Sequence, residues 1–201
     1  MTNIETIKQR VGKRRYEDNG EFYNASTNMR FDEFLEEDVI YFKNLYLETK
    51  DIGLRDKILG AFVLKCLDYD LKDFFLAAFK KERYLDMRLT AIRGYATYVT
   101  EKEVEPLMKK FLEILIKIPS HTPYNYKEYE TLRSSFGLPY LVKKYNYACF
   151  KDAFNQLEKQ YDDMPIHFKG YFTLNESGMH VSLMTSEEID RLLDLGLKSN
   201  D

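Results

Sequence analysis

The sequence predicts a mainly α-helical chain, a short superhelix of stacked antiparallel helix pairs followed by a small C-terminal β-hairpin and a final short helix. Three observations predict it. Apolar residues recur at helical spacing through most of residues 31–163. The connecting loops are roughly 3–6 residues long, which makes neighbouring helices antiparallel. After Pro165 the period changes to that of a strand, on either side of a turn-rich stretch. With 201 residues, the chain suits one domain whose core needs neither disulfide nor metal. It divides into a polar, partly ordered arm (1–30), a helical repeat array (31–163) and an appendage of hairpin plus helix (164–201).

The arm carries a basic run, Lys8, Arg10, Lys13, Arg14 and Arg15, read as a solvated segment or a contact for an acidic partner or nucleic acid. The acidic run that follows, Asp32, Glu33, Glu36, Glu37 and Asp38, suits the first turn of a helix, where the macrodipole favours negative charge. That helix sets Phe31, Phe34, Leu35, Val39, Phe42 and Tyr46 on one face. Residues 54–67 are apolar nearly all round, as in a helix sandwiched between others. Asp70 caps a short helix with Leu71, Phe74, Phe75, Ala78 and Phe79 inward. The next helix carries Met87, Ala91, Ile92, Tyr95 and Val99.

Thr100 and Glu103 frame a capping box, the hydroxyl accepting from the backbone and the carboxylate reaching back. It opens the most regular stripe in the chain, Val104, Leu107, Met108, Phe111, Leu112, Leu115 and Ile118, closed by Pro119. Thr122 and Pro123 start another helix, with Tyr129, Leu132, Arg133 and Phe136 on its stripe; Gly137 and Pro139 break or kink it. Residues 146–161 form one more, with Phe150, Ala153, Phe154, Leu157 and Tyr161 aligned. Beyond Pro165, a four-residue loop (175–178) places Leu174 opposite Met179, Phe172 opposite Val181 and Gly170 opposite Leu183. One face is then apolar and the other, with Tyr171, Thr173, His180 and Ser182, polar, as in a half-buried hairpin. Thr185 and Glu188 frame a second capping box before a helix with Ile189, Leu192 and Leu193, stopped by Gly196.

A loose repeat underlies the helices. The segment from Gly53 to Gly60 aligns with that from Asp86 to Gly94, an offset of 33–34 residues, and a degenerate third copy begins at Leu132 and Arg133 and runs to Leu141. Asp86, Arg88, Ala91, Ile92 and Gly94 together resemble the start of the inner helix in HEAT-like repeats, a resemblance covering residues 33–161. It implies a curved α-superhelix with a concave binding surface and carries no implication of catalysis.

Charge and motifs narrow the function. Thirty basic and 33 acidic residues leave a net charge of −3, so no global attraction draws the chain to nucleic acid. The longest apolar run, residues 74–79, falls far short of the roughly 20 residues of a membrane span. With no signal-peptide pattern at its N-terminus and only Cys66 and Cys149, far apart, the chain is expected in the cytoplasm. No phosphate-binding, dinucleotide, nucleophile-elbow or zinc motif occurs. Of the histidines, His121 falls in a loop, and the hairpin register puts His180 opposite Thr173, about 20 Å from His167. No catalytic residue, metal site or cofactor is therefore expected.

What stands out is six tyrosines within 24 residues, Tyr124, Tyr126, Tyr129, Tyr140, Tyr145 and Tyr147, a residue type enriched at protein interfaces. The leading expectation is a non-catalytic protein-binding scaffold, in one version an inhibitor or immunity-type partner of another protein. Tyr124, Tyr126, Arg88 and Arg93 are its partner-binding residues. The alternative is a nucleic-acid-binding or processing HEAT-like protein presenting Lys57, Lys65, Arg88 and Arg93 on a basic concave face. The stripe itself makes a testable statement: Phe111 lies at its middle, so Phe111→Ala lowers stability by about 3–5 kcal/mol, read as a shift of the urea midpoint.

Overall fold

Residues 3–11, 21, 24, 25, 28, 34–121, 126–164, 172–174 and 180–182 are described by a computed structural model. The first helix lies in the stretch expected to be a polar arm. In α1 (Asn3–Arg10) the side chains of Ile4 and Ile7 enter the core, and Lys8 meets the buried Asp38 at 2.5 Å. Arg10 pairs with Glu21. Only two isoleucines of this helix are buried, too few residues for a visible stripe. Lys13, Arg14 and Arg15 lie outside the described residues.

Helix α2 (Glu36–Glu48) begins within the acidic run, whose Glu36, Glu37 and Asp38 form its first turn. Asp38 Oδ2 accepts from the backbone N–H of Leu35 at 3.0 Å, so part of the acidic run closes the helix start. Val39, Phe42 and Tyr46 are buried as expected, but Leu35 is 61% exposed because it stands at the extended residue before the helix. Helix α3 (Ile52–Lys65) is capped by Asp51, whose carboxylate accepts from Leu54 N at 3.0 Å. In α4 (Lys72–Lys81) and α5 (Leu85–Tyr95) the expected apolar stripes are buried, except that Val99 lies beyond the end of α5 and is half-buried. Here Gly94 is needed: a Cβ would come 2.3 Å from the Phe75 ring, which is itself fully buried and has nowhere to move.

The long helix α6 (Glu101–His121) starts at the expected box, and Glu103 Oε2 accepts from Thr100 N at 3.1 Å. The threonine hydroxyl donates to the same carboxylate rather than accepting from the backbone. The helix does not stop at Pro119. Proline lacks the N–H that would bond the Leu115 carbonyl one turn back, and the buried Gln160 replaces it, its Nε2 donating to Leu115 O at 2.9 Å. A donor from another helix therefore carries α6 past a residue that normally ends one. Helix α7 (Tyr126–Arg133) follows; Thr122 and Pro123, the expected start, lie outside the described residues. Gly137 separates it from α8 (Leu138–Tyr145), which ends at Asn146 in the left-handed conformation, φ 56°. Helix α9 (Ala148–Asp163) completes the body.

The helices form a row in which α3, α5, α7 and α9 pack in succession, with α2 against α3, α4 against α5 and α8 against α9. The expected stacking of sequential pairs holds for α2–α3, α4–α5 and α8–α9, and is interrupted at α6 and α7. Helix α6 has 21 residues, about 32 Å, against eight in α7; it packs on α5 and α9 instead of pairing with its successor. Two helices in the row lack a capping side chain of their own, since Tyr84 and Tyr147 occupy the N-cap positions of α5 and α9. Carboxylates from elsewhere serve both: Glu128 accepts from Leu85 N at 2.8 Å, and Glu101 from Ala148 N at 2.6 Å.

A buried charge fixes the spacing of the first four helices of the body. Glu82, at the α4–α5 corner, is fully buried. Its carboxylate accepts from Arg55 of α3 at 2.7 and 3.2 Å and from the Tyr46 hydroxyl of α2 at 2.7 Å. Its backbone carbonyl accepts from Arg88 Nε of α5 at 2.7 Å. Between α7 and α9, Arg133 holds Glu158 through two bonds of 2.6 and 3.3 Å and lies 3.6 Å over the Tyr161 ring.

The expected half-buried hairpin is corrected. The body, 34–164, has no strand among its described residues, and the fold class is mainly α. Beyond it, β1 (Phe172–Leu174) and β2 (His180–Ser182) are three residues each. They pair with Phe172 opposite Ser182, Thr173 opposite Val181 and Leu174 opposite His180. This register is shifted by one residue from the expected pairing. The slip of one residue matches apolar against polar at every pair, which removes the apolar face on which burial was argued. The expected helix near 185–196 lies outside the described residues.

The Pro119–Gln160 arrangement is testable as a pair. Gln160→Leu leaves a buried carbonyl without its donor and lowers stability by about 1–3 kcal/mol. Pro119→Ala restores a backbone N–H and recovers most of that loss in the double variant, measured by urea unfolding.

Candidate functional site

An apolar groove of about 350 Å³ opens along the row of helices. Gly60, Val63 and Leu64 of α3 form one wall. Asp86, Leu89, Thr90 and Arg93 of α5 form the floor, and Leu132, Phe136, Gly137 and Leu141 around α7 and α8 form the other wall. Leu89, Leu132 and Leu141 of its lining are buried, while Leu64 from α3 and Phe136 from the turn before α8 are 58% and 68% exposed. The helical stripe predicted Phe136 inward, with Tyr129; Tyr129 is indeed fully buried, but Phe136 is not.

The reason for this is the turn at 134–137. Ser134 Oγ donates to Thr131 O at 2.8 Å, and Gly137 N donates to Ser134 O at 2.9 Å. A Cβ on Gly137 would sit 2.2 Å from the Leu132 carbonyl oxygen, so only glycine allows the chain to turn this tightly. The turn takes Phe136 off the α7 stripe and presents its ring to the groove. Gly60 has the opposite role: nothing lies within 4 Å of where its Cβ would be, and the missing side chain contributes space to the groove.

Of the four expected partner-binding residues, the structure brings one into this groove. Arg93 lines it, its Cζ 4.1 Å over the Tyr140 ring and its Nη1 3.4 Å from the Phe136 carbonyl. Arg88 does not reach it. Arg88 is held by the Glu82 carbonyl and lies 5.3 Å over the Phe79 ring; burial draws its pKa down and the Glu82 charge opposes that shift. Tyr124 lies outside the described residues. Tyr126 is the first residue of α7, its side chain outside the described set. The tyrosine-rich segment does not act as one patch: the half-buried Tyr145 and Tyr147 pack on the buried Phe150 between α8 and α9, Tyr147 stacked at 5.5 Å and Tyr145 tilted at 6.0 Å.

The basic face expected for nucleic acid is not assembled. Lys57 and Lys65 are exposed on α3, Arg88 is committed to the α4–α5 corner, and Asp86 shares the groove with Arg93. Composition alone concealed Leu64 and Phe136 as functional candidates, because each reads as one more apolar residue on a helical stripe. The signal available in the sequence was Gly60, a glycine inside an apolar helix with no turn to make.

The thiols are poor nucleophiles. Burial, with Asp68 nearby, pushes Cys66 up to about 11, and burial, with Glu101 nearby, pushes Cys149 up to about 11. Among the described residues no cluster of three or more His, Cys, Asp or Glu is gathered for a metal, and no helix is long and apolar enough to cross a membrane. Comparison with protein families, with curated proteins and with solved structures finds no match. Both thiols, being buried and protonated, react with Ellman's reagent at pH 8 only when urea unfolds the chain; a native-state reaction as fast as that of free cysteine contradicts this placement.

Proposed function

We propose that this chain is a non-catalytic protein-binding scaffold of HEAT-like build, and that its docking surface is the groove between α3, α5 and α8. One observation carries the reading. Two large apolar side chains, Leu64 from α3 and Phe136 from the turn before α8, line the same apolar groove of about 350 Å³ while largely exposed. Exposed apolar side chains scattered singly are ordinary; a set lining one groove is the form that anchors a partner's side chain. The row of α3, α5, α7 and α9 supports the HEAT-like description, because in such arrays the inner helices line the binding surface.

The test compares variants rather than relying on capture alone. Gly60→Phe fills the groove from a position where the added ring meets open space, and Phe136→Ser removes one of the exposed side chains. Both keep the melting temperature within a few degrees, since surface changes usually alter stability by about 0.5 kcal/mol or less. A protein captured by the wild-type chain from its native cells, then purified, binds each variant at least about tenfold more weakly, a loss of about 1.4 kcal/mol. Equal binding to the wild type and to well-folded Gly60→Phe removes the groove as the docking surface.

A further inference from the structure

The groove has two electrically different ends. Asp86 opens α5, and Arg93 lies seven residues on, about 10 Å along the axis. At the Arg93 end the Tyr140 ring carries a second cation, Lys144, whose Nζ is 5.6 Å from that ring and 5.1 Å from the Tyr145 ring. Arg55 and Arg133 each hold a glutamate, and Arg88 is set against Glu82. Arg93 and Lys144 take no carboxylate among the described residues. Arg93 is nevertheless immobilised, by the Tyr140 ring beneath it and the Phe136 carbonyl at its edge.

We infer that the groove receives an amphipathic segment of a partner protein that is acidic at one end: its apolar side chain lies against Leu64 and Phe136, and its carboxylate meets Arg93 and Lys144. The inference rests on the groove being a protein-docking surface and adds the chemistry of what docks. A guanidinium already fixed in orientation loses little entropy on binding a carboxylate, and its planar fork bonds both oxygens. Asp86 at the other end repels an acidic segment laid in the reverse direction, so the two ends also set polarity. A nucleic-acid strand fits less well. The face of Tyr140 that a base would stack on already carries Arg93, and the groove beside it is apolar and contains Asp86.

The experiment presents a random peptide library on phage to the full chain and to its Gly60→Phe form, at about 0.15 M salt so that distant charges are screened. Peptides enriched on the wild type pair an apolar residue with Asp or Glu. Once synthesised, they bind the wild type at least about tenfold more tightly than Gly60→Phe, and at least about tenfold more tightly than an Arg93→Gln, Lys144→Gln double variant. Lys144→Gln alone, which leaves the Arg93 contacts in place, shows part of the same loss and serves if the double variant does not fold. Enriched peptides that lose binding to Gly60→Phe but carry no acidic preference overturn this inference and leave the groove reading standing. Peptides indifferent to Gly60→Phe, or no enrichment at all, overturn both. An oligothymidylate that displaces the peptides overturns it in favour of a nucleic-acid ligand.

Discussion

The position of the first four helices of the body rests on one ionised side chain. Glu82 is fully buried, and an unpaired charge there would destabilise the fold by several kcal/mol. The structure satisfies it from two sides: Arg55 of α3 holds both oxygens and Tyr46 of α2 donates to one. Burial first, and the bond to Glu82 second, push the Tyr46 pKa above its ordinary value, so its hydroxyl keeps the proton that it donates. Since Glu82 itself ends α4, and its carbonyl takes Arg88 of α5, a change in the spacing of any of these helices breaks a charged hydrogen bond in a dry site. The apolar stripes supply the bulk of the burial, but they tolerate sliding; the Glu82 cluster does not.

That constraint reaches the groove, because α3 and α5 are two of its sides. Those two sides pack on one another, and the Arg55–Glu82–Arg88 connection fixes their spacing at one end. At the other end α8 is held by the glycine turn at 137 and by Arg93, whose contacts to Phe136 and Tyr140 tie α5 to it. The cavity is thus framed by polar contacts around an apolar lining. A groove formed in advance does not have to be ordered by its ligand, which lowers the entropic penalty of binding.

Much of the helical body was legible in the sequence because burial follows a period of 3.6, and α4, α5 and α6 bury most of the residues that the pattern names, with Val99, Leu112 and Ile118 half-buried. What the sequence hid has a common cause, a donor or acceptor supplied from a distant helix. Pro119 reads as a stop unless Gln160 is known to face Leu115. Tyr84 and Tyr147 read as poor caps unless Glu128 and Glu101 are known to reach them. The hairpin register failed for a different reason: with period-two pairing a shift of a single residue exchanges every partner. At the groove, Arg93 was named for its charge alone, and its neighbours Leu64 and Phe136 were assigned to packing, since periodicity does not register the turn that takes Phe136 off the stripe.

The treatment of charge in the rest of the chain gives Arg93 its meaning. Where Arg55, Arg133 and Lys8 lie between helices, each is matched to a carboxylate at 2.7, 2.6 and 2.5 Å, and the starts of α5 and α9 each receive one from a distant helix. Arg93 is placed with similar care, fixed by a ring and a carbonyl, yet the contacts that fix it add no negative charge. An aromatic ring and a neutral carbonyl orient a guanidinium while leaving its full charge in place, and the second cation at the Tyr140 ring, Lys144, increases the local potential instead of lowering it. If Arg93 served only to join α5 to α8, a glutamate in place of Tyr140 would do so more strongly. Orientation without neutralisation is the arrangement that suits a carboxylate arriving from outside, next to an apolar groove that holds the rest of the segment bearing it.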